Sequence, residues 1–451
     1  MDRRKIIIIV SILILGTLLG GAYWYFSKKV AVPTTPISEF PGESGRTTGR
    51  FTGIPGEAEF EPGSGAPLPR LYELHEAPVA GVGFVRRNSI NIAVRYIERG
   101  LGYVFETPLS TYRESRIVNE TRPRIIEALW GNEGKSVVIR FLDEGNGGAI
   151  KTQLLNIENS AISFTQNSGA GETQSTFLKT EEVHLPDLIP FMATSEDESD
   201  VFFYLENGVN ASVGSISTYK NSGSTKIFSS SFTEWLPQFP NQKLVTLTTK
   251  PSATVPGYLY FIDQKTNSTS KILGGMNGLT TRTSHNGKLV LYSETKTSTP
   301  ELFVFDTVTK ETSSLNIKTL PEKCVWGNKE TLVVYCAVPH SFIPASYPDY
   351  WYQGLASFSD DLWTIDVATH SAKKIMSPSS DFGAPSLDII NPKLSPDDGY
   401  LIFMNKISGT PWVYRIAEEP LPQQVIAPNA TDIVTTDTNN ISTSTATSTI
   451  Y

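Results

Sequence analysis

The chain has 451 residues, of which 19% are charged and 39% hydrophobic, and its formal net charge is −8. An acidic, sparsely charged chain lacks the basic footprint that phosphate backbones require, so no nucleic acid is expected as a partner. The apolar share is enough to fill a core, which excludes global disorder.

Residues 6–26 form an uncharged run, IIIIVSILILGTLLGGAYWYF. About 20 such residues, wound as a helix, cross a bilayer with their own backbone groups satisfied. Tyr23, Trp24 and Tyr25 stand at its distal end, where amphipathic rings favour the interface. Arg3, Arg4 and Lys5 precede the run and Lys28 and Lys29 follow it, a bias that leaves residues 1–5 as a cytoplasmic stub. The chain therefore reads as a single-pass cell-membrane protein anchored through 6–26, with everything after the anchor extracytoplasmic. The alternative, a cleaved signal peptide, needs small residues before the cut, where this chain has Tyr-Trp-Tyr-Phe. Residues 27–70 are Pro/Gly-rich with no hydrophobic period and predict a disordered tether. Residues 428–451, rich in Thr and Ser, predict a disordered tail.

Between these flanks, over 71–427, one pattern recurs: a short strand, a polar turn, a strongly apolar strand, a loop, then a strand ending in Asp. TRTSHNGKLVLYSET with PELFVFDTVTKETSSL, and NPKLSPDDGYLIFMNK with PWVYRI, are the clearest units. Turn centres fall at Asn88, Asn132, Asp197, Asn241, Asn286, Asn328 and Asp397, with spacings of 44, 65, 44, 45, 42 and 69. Four of the six match the roughly 40–50 residue period of a four-stranded propeller blade, and the two long ones carry insertions. The expected fold is all-β, a seven-bladed β-propeller. Its blades fall at about 78–120, 123–180, 187–232, 233–275, 278–318, 319–377 and 388–427. A β-sandwich or two smaller β domains would also accommodate strands at this spacing.

SPDDGYLIF, and SHNGKLVLY with ELFVFDTVTK, resemble the WD40-like repeats of TolB-type propellers. The resemblance covers roughly residues 78–427 and is best in the fifth and seventh units. It implies the fold and not that family's partners, because the amino-terminal α/β domain of TolB has no counterpart here.

Cys324 and Cys336 flank the turn WGNKE of the sixth unit. Outside the cytoplasm they could bridge across a hairpin; the alternative is two buried free thiols. No third or fourth ligand sits at zinc-like spacing, so neither metal nor other cofactor is expected. The histidines, His75, His184, His285, His340 and His370, are scattered and read as turn or surface residues. No G-x-S-x-G elbow is present. DEGNGG (143–148) reads as a Gly-rich hairpin turn rather than a calcium loop, and SEDESD (195–200) as a solvated acidic turn. No catalytic residue is therefore assigned.

The candidate contact residues lie in the insertion PHSFIPASYPDYWYQGLASFSDD: Phe342, Tyr347, Tyr350, Trp351, Tyr352 and Phe358. Tyr and Trp give stiff contact area at low entropic cost. The same insertion could instead fold over the channel and bury its rings as a lid. The sequence thus points to a non-enzymatic scaffold binding an unidentified envelope protein or polysaccharide. The rival is a propeller glycan hydrolase or lyase, which needs several carboxylates, or a His-carboxylate pair, converging on the central channel.

Overall fold

The computed structural model describes residues 67–416, apart from 88–90, 144, 146, 169, 170, 188, 197–199, 221, 222 and 297. The expected stub 1–5, the expected membrane span 6–26, the expected tail 428–451 and all but the last four residues of the expected tether 27–70 lie outside the described residues. Among the described residues, no helix is long and apolar enough to cross a membrane.

The strands make seven four-stranded antiparallel sheets, six of them from four consecutive strands. The first strands are Val79–Arg86, Ile125–Gly131, Phe191–Thr194, Trp235–Asn241, Thr280–Thr283, Cys324–Trp326 and Ile389–Leu394. They surround a central channel. The seventh sheet differs. Its fourth strand is Leu71–Glu73, paired with Pro411–Arg415 so that Leu71 faces Tyr414 and Glu73 faces Trp412. The expected blade 388–427 does not contain this strand, and its last residues, 417–427, lie outside the described residues. One blade built from both flanks of the domain locks the ring.

The apolar second strands explain why the ring forms. Alternate residues point to opposite faces, and each face meets a different neighbour. Ile402 packs with Val82 and Val94 of the first blade, while Leu401 and Phe403 pack with Leu362 of the sixth. Phe202 joins Val138 of the second blade; Phe203 joins Leu247 of the fourth. Val290 and Leu291 divide in the same way between fourth and sixth. With the cluster of Ile97 and Trp130 between first and second blades, seven apolar clusters fill seven sheet-to-sheet interfaces. Burying one such Phe or Leu stabilises the ring by about 1.5–3 kcal/mol.

The turn residues of the repeat act through local hydrogen bonds. In the seventh blade Ser395 Oγ accepts the Tyr400 N–H at 2.9 Å, and Asp397 Oδ1 accepts the Gly399 N–H at 3.2 Å. The fifth blade does likewise, with Ser284 accepting from Leu289 at 3.0 Å and Asn286 from Lys288 at 2.9 Å. Left-handed residues are Asn132, Glu133 and Gly134 in one turn, Gly287 in another and Asp398 in a third. Asp263, Asp306 and Asp366, which end third strands, each accept two backbone N–H groups of the following turn. Those bonds hold all three carboxyls below the usual aspartate range.

Candidate functional site

Antiparallel order gives the ring two unlike ends. Turns after first and third strands fall at one end; turns after second strands and the connections between blades fall at the other. Leu71 begins its strand, and Arg415 ends its strand, at the first of these, called here the entry end.

The aromatic insertion, residues 340–359, joins the second strand of the sixth blade, Val333–Pro339, to the third, Asp360–Asp366. It therefore lies at the opposite end and acts as a lid. Tyr347, Trp351 and Phe358 are buried with Leu320 and Ala356, and Phe342 packs on them half-buried. Phe342 meets Tyr347 and Phe358 edge-on at 5.1 and 5.0 Å between ring centres. Four of the six predicted aromatics thus build the insertion's own small core. Tyr350 remains exposed, at 40%, and Tyr352 is open on one side, at 38%, with its hydroxyl turned inward to Glu322.

A fully buried ionic centre holds this lid. Lys323 Nζ lies 2.6 Å from Asp388 Oδ1 and 2.8 Å from Asp360 Oδ2, and donates to the Ile389 carbonyl at 2.9 Å. The Trp351 indole N–H points at both Asp388 oxygens, at 3.2 and 3.1 Å, and the Phe358 N–H donates to Oδ2 at 3.1 Å. Lys406 of the seventh blade lies 4.9 Å from the Trp351 ring centre. On the far side Asp349 accepts the Ala253 N–H of the fourth blade at 2.7 Å. The lid is therefore fastened to the fourth, sixth and seventh blades. Burial raises Asp360 to about 6, although Lys323 pulls the other way. None of these charges stands near another in the sequence, and only the fold brings them together.

Beneath the lid runs a channel of about 700 Å³, lined from several blades by Glu127, Glu133, Glu196, Glu322, Arg282, His285 and Lys393. Small residues admit the crowding of first strands, since a Cβ at Gly81 would collide with the Ala128 carbonyl. Tyr352 reaches into the channel and donates its hydroxyl to Glu322. Burial, and then the Glu322 charge, hold the Tyr352 phenol well above its ordinary value, and burial likewise raises Glu322. Glu127 lies 3.0 Å from Arg140, and Glu133 pairs with Lys135. Near the entry end, Glu196 lies 3.0 Å from Arg282 and 3.4 Å from His285. Burial opposes the Glu196 carboxylate, but these cations outweigh it and keep its pKa low; in return Glu196 holds His285 above its ordinary value against its own burial.

Other predicted residues fall into place. Cys324 and Cys336 sit directly opposite in adjacent strands, bridged, with Cα atoms 4.1 Å apart. Asp143 and Gly145 close a hairpin turn, with Gly147 and Gly148 left-handed. Glu196 of the acidic turn 195–200 faces the channel, a placement that reading the turn as merely solvated does not anticipate; residues 197–199 of that turn lie outside the described residues. Of the five histidines, only His285 lines the channel. The available signal was positional: Glu196, His285 and Asn328 all follow directly on first strands.

Exposed apolar side chains are unevenly shared between the two ends. Ten of the thirteen exposed large apolar side chains among the described residues stand at the lid end, including Val209, Phe232, Val255, Ile343, Tyr350 and Leu355. Val308 and Leu332 stand at the entry end, and Ile162 on a long hairpin of the second blade.

No family model and no curated protein matches the chain. Among solved structures, an oligogalacturonate lyase in complex with manganese is 9% identical with a TM-score of 0.48, covering 77% of this chain and 93% of that one. TolB from Acinetobacter baumannii is 12% identical with a TM-score of 0.38, covering 75% and 80%. The Neurospora crassa Pan2 WD40 domain is 8% identical with a TM-score of 0.46, covering 78% and 96%. The fold assignment rests instead on this chain's own sheets and the clusters between them: it is a seven-bladed β-propeller.

Proposed function

We propose that the chain is a membrane-anchored, extracytoplasmic β-propeller that serves as a non-enzymatic scaffold and binds an envelope protein at its lid end. The observation that carries this reading is the apolar asymmetry: exposed Val, Ile, Leu, Phe and Tyr gather on one end of an otherwise polar ring. The described chain enters and leaves the ring at the other end. The Cys324–Cys336 bridge supports an oxidising compartment, and the run 6–26 supports the anchor.

Tyr350 and Leu355 are exposed and make no part of the lid's core, whereas Trp351 fastens the lid. Replacing both, as Tyr350→Ala with Leu355→Ser, is expected to abolish retention of the native partner on the full-length chain while leaving thermal melting unchanged. Undiminished retention would refute the lid end as the contact surface.

A second reading is favoured by one observation: the channel holds the His-carboxylate pair His285 and Glu196, from two blades. A glycan hydrolase or lyase acting there would release new reducing ends or unsaturated sugars from envelope polysaccharide, and Glu196→Gln would stop it. No product from any polysaccharide fraction would retire that reading.

A further inference from the structure

Among the described residues, the channel cluster near the entry end brings more cations than carboxylates within reach of one another. Arg282 and Lys393 face a single carboxylate, Glu196, and all three line the same cavity with His285. Among the described residues this group sets two fixed cations against one anion, and three when His285 is protonated, while Glu127 and Glu133 of the same lining pair with Arg140 and Lys135. Lys393 is within electrostatic reach of both Arg282 and Glu196, yet its Nζ donates to the Val82 carbonyl, at 3.2 Å, rather than to a carboxylate. Arg282 Nε is buried and finds no acceptor among the described residues. Burying a charge without a counter-charge is unfavourable. That cost is visible at Lys393, where burial first and Arg282 second lower the ammonium to about 8.

The space is large enough for a ligand. A channel of about 700 Å³ falls within the range of small-molecule sites. A second cavity of about 240 Å³, also lined by Glu196, His285 and Asn328, opens off the same end. These donors favour oxyanions, whose oxygens accept charge-assisted hydrogen bonds from guanidinium, ammonium and imidazolium.

We propose that Lys393, Arg282 and His285 form an oxyanion site in the central channel, reached from the entry end, that seats a carboxylate or phosphate group. The site is separate from the lid-end contact surface and stands or falls without it. The groups facing Lys393 and His285 are Glu196 and Arg282, with Glu127, Glu133, Glu322 and Tyr352 elsewhere on the same lining. Binding should therefore weaken as pH rises and His285, then Lys393, lose their protons.

The test is calorimetric titration of inorganic phosphate, and separately of acetate, into the full 451-residue chain at low ionic strength. Saturable binding by at least one probe is expected. Lys393→Met should weaken it about tenfold or more, the worth of one charge-assisted hydrogen bond. Lys393→Arg, which keeps the charge, should largely retain it, and so should the exposed-turn control Lys265→Met. Preference for phosphate would mark a phosphate-bearing ligand, and preference for acetate a carboxylate. Saturable binding that survives in the Tyr350→Ala, Leu355→Ser chain keeps this site even if the lid-end reading fails. No saturable binding by either probe, or equal affinity in wild type and a folded Lys393→Met chain, would overturn the proposal.

Discussion

Three side chains from separate blades or connections, Lys323, Asp360 and Asp388, meet with no exposure to solvent. The centre is held by hydrogen bonds beyond its ion pairs: Asp388 takes the Trp351 and Phe358 N–H groups, and Asp360 Oδ2 takes the Ile389 N–H at 2.7 Å, while Asp360 Oδ1 is buried with no hydrogen-bond partner among the described residues. Asp360 has an ordinary value of 3.8 and is raised by burial to about 6, so the folded chain binds its proton more tightly than the unfolded chain does. Its contribution to stability is complete below the unfolded value and lost as pH rises through about 6. The stability of wild type minus that of Asp360→Asn should therefore fall, on the order of 3 kcal/mol, between about pH 4 and pH 7 in chemical denaturation. A flat difference would mean that Asp360 is ionised throughout. The sequence offered no sign of this centre, because each charge on its own reads as a turn or strand-end residue.

At the scale of the element, much was legible. Ser-Pro-Asp-Asp-Gly and Ser-His-Asn-Gly mark turns because Ser and Asx side chains take backbone N–H groups there, and such chemistry is local. LIFMN and LVLYS announce strands covered on both faces. The insertion was legible as a long aromatic loop, but not its fate, since Trp351 and Phe358 are committed to Asp388 and Lys323 from other parts of the chain. The cysteine pair tied two strands whose turn was visible in the sequence. It closes a sequence separation of 12, for which chain-entropy models give about 3 kcal/mol. Replacing both cysteines with serine should lower unfolding free energy by about 2–3 kcal/mol under oxidising conditions. Strong reductant should lower the wild type by about that amount and leave the double-serine chain unchanged, which a denaturant series with and without reductant would check.

For the whole molecule, seven interfaces for seven sheets mean that no blade buries its apolar faces alone. The period near 44 residues foretold the number of blades, but not how the last one closes. Leu71–Glu73 is three residues long, and Arg70 Nε donates to the Arg415 carbonyl across 345 residues. No repeat spacing can register a pairing so distant. That closure sets Leu71 and Arg415 side by side at the entry end. The most direct test is site-specific photo-crosslinking of the full-length protein in its native cells. One crosslinker replaces Tyr350 at the lid end, another Leu332 at the entry end. A discrete protein adduct from position 350 and none from 332 is the expected result; an adduct from 332 alone, or equal capture at both, would contradict the assignment of the lid end as the binding face.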